Sequence, residues 1–189
     1  MISVYLDNTN GFELLNVFIS YFNSNSDINL DMYAYDQAYS SSNNLQLRVS
    51  SYSELVSALS SLPNHVDNVY LYLHSDYDKE LQQYCFVFYN GKYFGADDII
   101  ADIPALKIEG NVYLFSCHGA NLAPSLSQAT NRTVIASYEG VSFELGYACG
   151  GVKDRIVRLK LFWPRRGWWA FTPDGECEHY TKARYCTGG

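Results

Sequence analysis

The chain has 189 residues, of which 48% are hydrophobic and 17% charged, so it can bury one sizeable core but is too short for two ordinary domains. With 20 acidic and 13 basic side chains its formal net charge is -7, which disfavours nucleic acid as a partner because phosphate binding needs an excess of basic residues. No apolar run approaches the roughly 20 residues of a membrane helix, and the first residues lack a signal-peptide pattern. We therefore expect one soluble domain over residues 1–189, with no membrane span.

The hydrophobic pattern predicts an alternation of strands and helices. Apolar, β-branched and aromatic runs predict strands, whereas apolar residues at helical spacing behind a capping residue predict helices. The Ser- and Asn-rich residues 23–44 predict a long surface loop with one short strand at 30–35. The other predicted elements are, in chain order, a strand at 2–6, a helix at 11–22, a strand at 45–49, a helix from Ser51 to Pro63, strands at 68–73, 84–89 and 92–94, a helix at 95–103, a strand at 111–115, a helix at 120–130, and strands at 133–136, 156–162 and 168–171.

The middle of the chain has the pattern of an α/β protein. Strands that alternate with helices imply a mostly parallel sheet with helices on its faces. The last forty residues are rich in aromatic residues and strand-like, and predict an antiparallel extension of that sheet.

Two chemically reactive side chains follow buried strands of this predicted sheet. His74 comes directly after the strand at 68–73, and Cys117 follows the strand at 111–115. Ligands of open α/β sheets bind outside the carboxyl ends of the strands, so the imidazole and the thiol can meet there if the two strands are neighbours. A nearby imidazolium or helix N-terminus turns a thiol into a nucleophile. We therefore interpret Cys117 as a nucleophile and His74 as the group that handles protons.

The strands that end in His74 and in the sequence SCHG at 116–119 resemble those of the caspase-like cysteine peptidases, which include caspases, gingipains, clostripain and the self-cleaving domains of large bacterial toxins. The resemblance covers residues 68–145, under half of the chain. It implies a caspase-like three-layer α/β sandwich, cleavage of an amide bond and a His/Cys dyad that needs no third residue. Cys117 would attack the carbonyl, His74 would protonate the leaving amine, and the backbone N–H groups of Ser75 and Cys117 would bind the oxyanion.

The same resemblance carries expectations about the substrate. Relatives commonly have glycine after the histidine, where this chain has Ser75. Ser137, Tyr138 and Glu139 fall where relatives build part of the pocket for the residue that precedes the cut, and Glu139 would favour a basic residue there. The resemblance further implies a protein or peptide substrate, no cofactor, and an effector or toxin module that is cytoplasmic or delivered from a bacterium without a conventional signal peptide.

Alternative roles exist for the neighbouring polar residues. His118 is a competing base, although adjacent residues on a strand point to opposite faces. Asp76 and Asp78 could orient His74, as carboxylates do in catalytic triads, or could be solvated loop charges.

The five cysteines are an odd number, which excludes a complete disulfide framework. Cys177, His179 and Cys186 form a loose cluster that matches a zinc site poorly, because zinc sites use compact Cys pairs; a Cys177–Cys186 disulfide is the alternative. Cys149 lies beside two glycines in a predicted turn. We expect no metal.

The first functional interpretation is a cysteine endopeptidase. A deamidase or an acyltransferase would use the same dyad, since all three share the covalent step. A non-catalytic module is the alternative from another class. It would bind carbohydrate or protein through exposed Tyr and Trp side chains, including Trp163, Trp168 and Trp169.

Overall fold

A computed structural model describes residues 16–21, 44–63, 65–88, 91–147, 153–160 and 167–180. These residues form three α-helices, one 3-10 turn and twelve strands. The strands are β1 (Asn16–Tyr21), β2 (Asn44–Val49), β3 (Asn68–Tyr72), β4 (Ser75–Asp78), β5 (Gln83–Phe88), β6 (Lys92–Phe94), β7 (Val112–Phe115), β8 (Val134–Ser137), β9 (Gly140–Tyr147), β10 (Lys153–Lys160), β11 (Trp168–Phe171) and β12 (Cys177–His179). The helices are α1 (Tyr52–Ser60), α2 (Ala96–Asp102) and α3 (Ala123–Thr130), and the 3-10 turn is Gly119–Asn121.

A mixed, mostly parallel sheet of seven strands organises the fold, in the order β2-β1-β3-β7-β8-β11-β12. The four pairings from β2 to β8 are parallel, whereas β11 pairs antiparallel with both β8 and β12. Two small antiparallel sheets accompany it, one of β4, β5 and β6 and one of β9 and β10. The predicted α/β class, with a mostly parallel sheet and an antiparallel C-terminal extension, is confirmed.

The central strands are buried on both faces, as expected for parallel strands inside an α/β sheet. On one face, the register of β1, β3 and β7 aligns Phe18, Tyr70 and Tyr113. Their rings stack with centroids 4.7 Å apart in each pair and planes within 10° of parallel. Part of the chain's high aromatic content therefore packs the sheet.

Helix α1 begins where its capping residues predict. The Ser51 hydroxyl accepts a hydrogen bond from the Glu54 N–H at 3.3 Å, and the Glu54 carboxylate accepts one from the Ser50 N–H at 2.7 Å. The first bond satisfies a backbone donor that the first helical turn leaves unpaired, and the second ties the residue before the N-cap to the helix. The helix buries Tyr52 and Leu55 against the core.

The helix predicted at 11–22 is wrong for residues 16–21, which form β1. This strand pairs with β2 on one side and β3 on the other, so its side chains meet packed surfaces on both faces. The run is apolar for that reason, and periodicity alone cannot distinguish a short apolar strand from a buried helix. The rest of that prediction, the strand at 2–6 and the loop at 23–43 with its short strand lie outside the described residues, and Asn44 begins β2.

Besides β1, three strands form that the sequence pattern did not predict, namely β4, β9 and β12. Strand β4, with the sequence SDYD, lacks an apolar run and forms by pairing with β5. Strand β9 pairs with β10, which covers residues 153–160 where the sequence predicted 156–162. None of the helices in the described ranges is long and apolar enough to cross a membrane.

Candidate active site

The register of β3 and β7 brings His74 and Cys117 to one edge of the sheet. The two strands are parallel neighbours, with Tyr72 opposite Phe115 as the last pair. A hydrogen bond of 3.1 Å from the Leu73 N–H to the Phe115 carbonyl continues this ladder. His74 and Cys117 each follow the last pair by two residues. Because neighbouring strands lie about 4.8 Å apart, the two residues leave the sheet from adjacent positions.

His74 is half-buried between the main sheet and the small sheet. Its ring meets the ring of Tyr21 edge to face, with centroids 5.4 Å apart, and its carbonyl accepts a hydrogen bond of 3.0 Å from the Val87 N–H. Burial lowers the pKa of His74 below its ordinary value of 6.5, because the charged imidazolium loses hydration. The imidazole is therefore neutral at physiological pH and able to accept a proton.

Cys117 lies half-buried in the turn after β7, where two serine hydroxyls hold its backbone. The Ser116 hydroxyl donates to the Ser75 hydroxyl at 2.7 Å, and the Ser75 hydroxyl donates to the Cys117 carbonyl. Both serines are buried. This hydroxyl relay, made of Ser116, Ser75 and the Cys117 carbonyl, joins the chain after β7 to the chain after β3. It turns the side chain of Ser75 toward the backbone of Cys117.

The backbone N–H of Ser75 is directed away from β5. Ser75 lies opposite Phe86 in the β4–β5 ladder, and the flanking bond from the Val87 N–H to the His74 carbonyl makes this a non-hydrogen-bonded pair. In such a pair the N–H and C=O groups point out of the ladder. The Ser75 N–H is thus placed on the side of β4 that faces away from its partner strand, and the Ser75 hydroxyl bonds Cys117.

His118 belongs to a turn rather than to a strand. The expectation that it points to the face opposite Cys117, as an adjacent strand residue would, therefore does not apply. Its φ of 55° is left-handed, and it precedes the 3-10 turn. Its N–H donates to the Glu139 carbonyl at 2.9 Å, and its Nδ1 lies 2.7 Å from the Tyr138 carbonyl. A carbonyl only accepts, so Nδ1 carries the hydrogen in this bond. His118 is fixed to the loop after β8 through these contacts.

Glu139 is a buried carboxylate beside this turn, with 5% of its surface exposed. Its Oε2 lies 3.4 Å from both the Ser137 hydroxyl and the Gly167 N–H. Its Oε1 is buried and has no hydrogen-bond partner among the described residues. A buried carboxylate oxygen is costly unless a donor or cation meets it.

Ser137 and Tyr138, the other predicted substrate-binding residues, are largely occupied by packing. Ser137 is buried, and its hydroxyl accepts the Glu139 N–H at 3.1 Å. The Tyr138 ring meets the rings of Trp169 and Phe171 edge to face at 6.1 and 6.0 Å. These two residues position Glu139 and His118.

The carboxylates of Asp76 and Asp78 bond locally. Asp76 accepts the Tyr77 N–H at 2.8 Å, and Asp78 accepts the N–H groups of Glu80 and Leu81 at 2.7 and 3.2 Å. The two aspartates therefore lie on β4 rather than in a loop, and their carboxylates bond the local backbone of β4 and of the turn after it.

The remaining candidates lie away from this edge or outside the described ranges. Cys177 and His179 are exposed on β12, and no group of three or more His, Cys, Asp or Glu side chains in the described ranges is placed to hold a metal ion. Trp168 is buried and Trp169 half-buried, so neither presents the exposed surface that a binding platform needs. Trp163, Cys149 and Cys186 lie outside the described residues.

Sequence reasoning did not single out Ser116 or Tyr84. Ser116 follows an apolar strand directly, and a hydroxyl in such a buried position must find a partner. Tyr84 contacts the ring of His118 with centroids 5.2 Å apart, a contact that depends on how the small sheet folds over the main one.

Comparisons with known protein families, with curated proteins and with solved structures found no match to this chain.

Proposed function

We propose that this chain is a cysteine endopeptidase, or a closely related amide hydrolase, of caspase-like fold, with Cys117 as nucleophile and His74 as its base and acid. The observation that carries this proposal is the register of β3 and β7. It puts His74 and Cys117 at equivalent positions after two neighbouring strands, at the carboxyl edge of the sheet. That edge is where α/β sheets bind their ligands.

The first chemical step is proton transfer from Cys117 to His74. The neutral imidazole takes the thiol proton while Sγ bonds to the carbonyl carbon of the scissile amide. The resulting imidazolium gives its proton to the leaving amine as the carbon–nitrogen bond breaks, which leaves a thioester on Cys117. Water then attacks the thioester with His74 as base, releases the acid product and restores the thiol. The lowered pKa of His74 makes its imidazolium a stronger proton donor to the leaving amine and its neutral imidazole a weaker base toward the thiol.

Backbone donors would stabilise the tetrahedral intermediate. The Ser75 N–H points away from β5, and the hydroxyl relay holds Ser75 against the backbone of Cys117. The N–H groups of Ser75 and Cys117 form the oxyanion hole in this proposal. The serine at this position, where the resembling family commonly has glycine, supports the site by bonding the carbonyl of the nucleophile.

Glu139 would select the residue before the cut. Its Oε1 is buried and has no hydrogen-bond partner among the described residues, and its backbone carbonyl accepts the N–H of His118, the residue after the proposed nucleophile. A lysine or arginine side chain would satisfy that oxygen and neutralise the buried charge. We therefore assign a basic residue to the position before the scissile bond.

The test is the rate at which iodoacetamide alkylates each cysteine, followed by peptide mass spectrometry. We expect Cys117 to react about tenfold faster than the exposed Cys177 at neutral pH, because a positioned base removes its proton. His74→Asn should abolish this advantage. The matched variant His65→Asn removes an exposed histidine and should retain it.

His118→Asn separates the two candidate bases. If His118→Asn abolishes the reactivity and His74→Asn does not, the assignment of the base is wrong. If Cys117 reacts no faster than Cys177 in the unaltered chain, the dyad itself is refuted.

Product analysis then distinguishes the amide reactions that share the dyad. New peptide termini indicate a peptidase, a mass gain of about one dalton on glutamine indicates a deamidase, and an amine adduct indicates acyl transfer. The role as an effector or toxin module rests on the family resemblance alone.

A further inference from the structure

Two tyrosines of the small sheet extend an aromatic row up to the candidate active site. Tyr77 and Tyr84 lie opposite each other on β4 and β5, and their rings meet edge to face at 5.4 Å. The Tyr84 ring contacts the His118 ring at 5.2 Å. We call Tyr77, Tyr84 and His118 the aromatic row. It runs from an exposed edge of the molecule to the residue that follows the nucleophile.

The aromatic row lies on the face of the small sheet that packs against the body of the protein. Tyr84 alternates with Phe86 and Phe88 along β5, and these two phenylalanines are buried in the core. Tyr77 shares this face but is 44% exposed. Tyr93 is also exposed, yet it pairs with Val87 and so belongs to the opposite face. The face that carries Tyr77 is thus the one whose Tyr84 contacts His118.

We infer that the aromatic row is a recognition surface for an aromatic side chain of the polypeptide substrate, an inference that rests on the proposed function. The Tyr77 ring is exposed to water and its contact with Tyr84 already restricts its orientation. A further aromatic ring can therefore pack on it with little additional loss of side-chain freedom. His118 contacts Tyr84 through its ring and Glu139 through its N–H. The row and Glu139 thus meet His118 through different atoms, and we assign them to two different side chains of the substrate, an aromatic one and the basic one.

Iodoacetyl peptides test this inference, because they deliver a side chain to a known distance from the sulfur of Cys117. In a short series, one phenylalanine is moved through three positions of an alanine peptide, and the all-alanine peptide and iodoacetamide are the references. At one position we expect phenylalanine to raise the alkylation rate of Cys117 about five- to tenfold over alanine, the gain typical of one aromatic contact. Cys177 should show no such gain.

Matched tyrosine variants locate the contact. Tyr77→Ala should remove most of the gain, whereas Tyr93→Ala, which removes an exposed tyrosine from the other face, should preserve it. Both variants should keep the iodoacetamide rate of Cys117, since neither residue touches the dyad in the proposed mechanism.

The outcomes separate the two proposals. If Cys117 is selectively alkylated by iodoacetamide but phenylalanine gives no gain at any position, or Tyr77→Ala leaves the gain intact, the aromatic row has no recognition role and the proposed function survives. If Cys117 shows no selective reactivity toward iodoacetamide, both proposals fail.

Discussion

The hydroxyl relay predicts an unusually large stability loss for the single change Ser75→Ala. This variant removes the donor to the Cys117 carbonyl and the acceptor of the Ser116 hydroxyl, which is only 1% exposed. One lost hydrogen bond costs about 1 kcal/mol, and a buried donor left without a partner costs about 1–3 kcal/mol. We therefore expect the free energy of unfolding to fall by about 2–4 kcal/mol.

Ser116→Ala provides the comparison. It removes one bond, but Ser75 still donates to Cys117, so the loss should be about 1 kcal/mol. The double variant, Ser75→Ala with Ser116→Ala, has no buried Ser116 hydroxyl left without a hydrogen-bond partner. It should therefore cost less than the two single changes together, by about 1 kcal/mol.

Urea unfolding of the four proteins, followed by circular dichroism, measures these losses. Ser57→Ala, at an exposed position of α1, is the control and should stay within about 0.5 kcal/mol of the unaltered chain. Additive losses, or a Ser75→Ala loss no larger than that of Ser116→Ala, would refute the relay. The alkylation rate of Cys117 in Ser75→Ala shows whether the relay also holds Cys117 in place.

Three further predictions concern other parts of the same edge. Because burial lowers the pKa of His74 in the folded chain, the unfolded chain binds more protons below pH 6.5, and the free energy of unfolding should fall as pH drops through that value by at most about 1.4 kcal/mol per pH unit. Between about pH 7.5 and about pH 5.5, His74→Asn should lose less free energy of unfolding than the unaltered chain. An equal loss would show that His74 is not the cause of this pH dependence. Glu139→Gln should lower cleavage of peptides with lysine or arginine before the cut about tenfold without lowering the melting temperature, and an unchanged preference in peptide profiling would exclude Glu139 from recognition. Gly110→Ala places a Cβ 2.6 Å from the Asp67 carbonyl oxygen where the chain enters β7, so urea unfolding should detect a loss of about 2 kcal/mol, and a neutral result would contradict that close approach.

The parts of the fold that the sequence predicted are those whose burial requires a run of apolar residues. Strands β3, β7 and β8 are covered on both faces and read as continuous apolar runs. The apolar run of β1 was ambiguous, because six such residues also fit a helix. Strand β4 has no apolar run, because its polar residues become a strand only through pairing with β5.

The candidate site was predictable only in part for a similar reason. The sequence places His74 and Cys117 after strands, but strand order is a property of the whole sheet, and it decides whether they meet. The hydroxyl relay and the contact of Tyr84 with His118 join segments far apart in the chain. No local pattern of residues encodes such contacts.

The exposed turn at 79–82 separates His74 from Cys117 along the chain, whereas the β3–β7 ladder brings the strands that precede them side by side. Cutting the chain in this turn would yield two complementary fragments, each with one of these two residues. Neither fragment could perform the proposed chemistry alone, and reassembly through the ladder would be required to restore it. If the proposed function holds, hydrolysis by the mixed fragments would therefore report whether the two halves of the chain have reassembled.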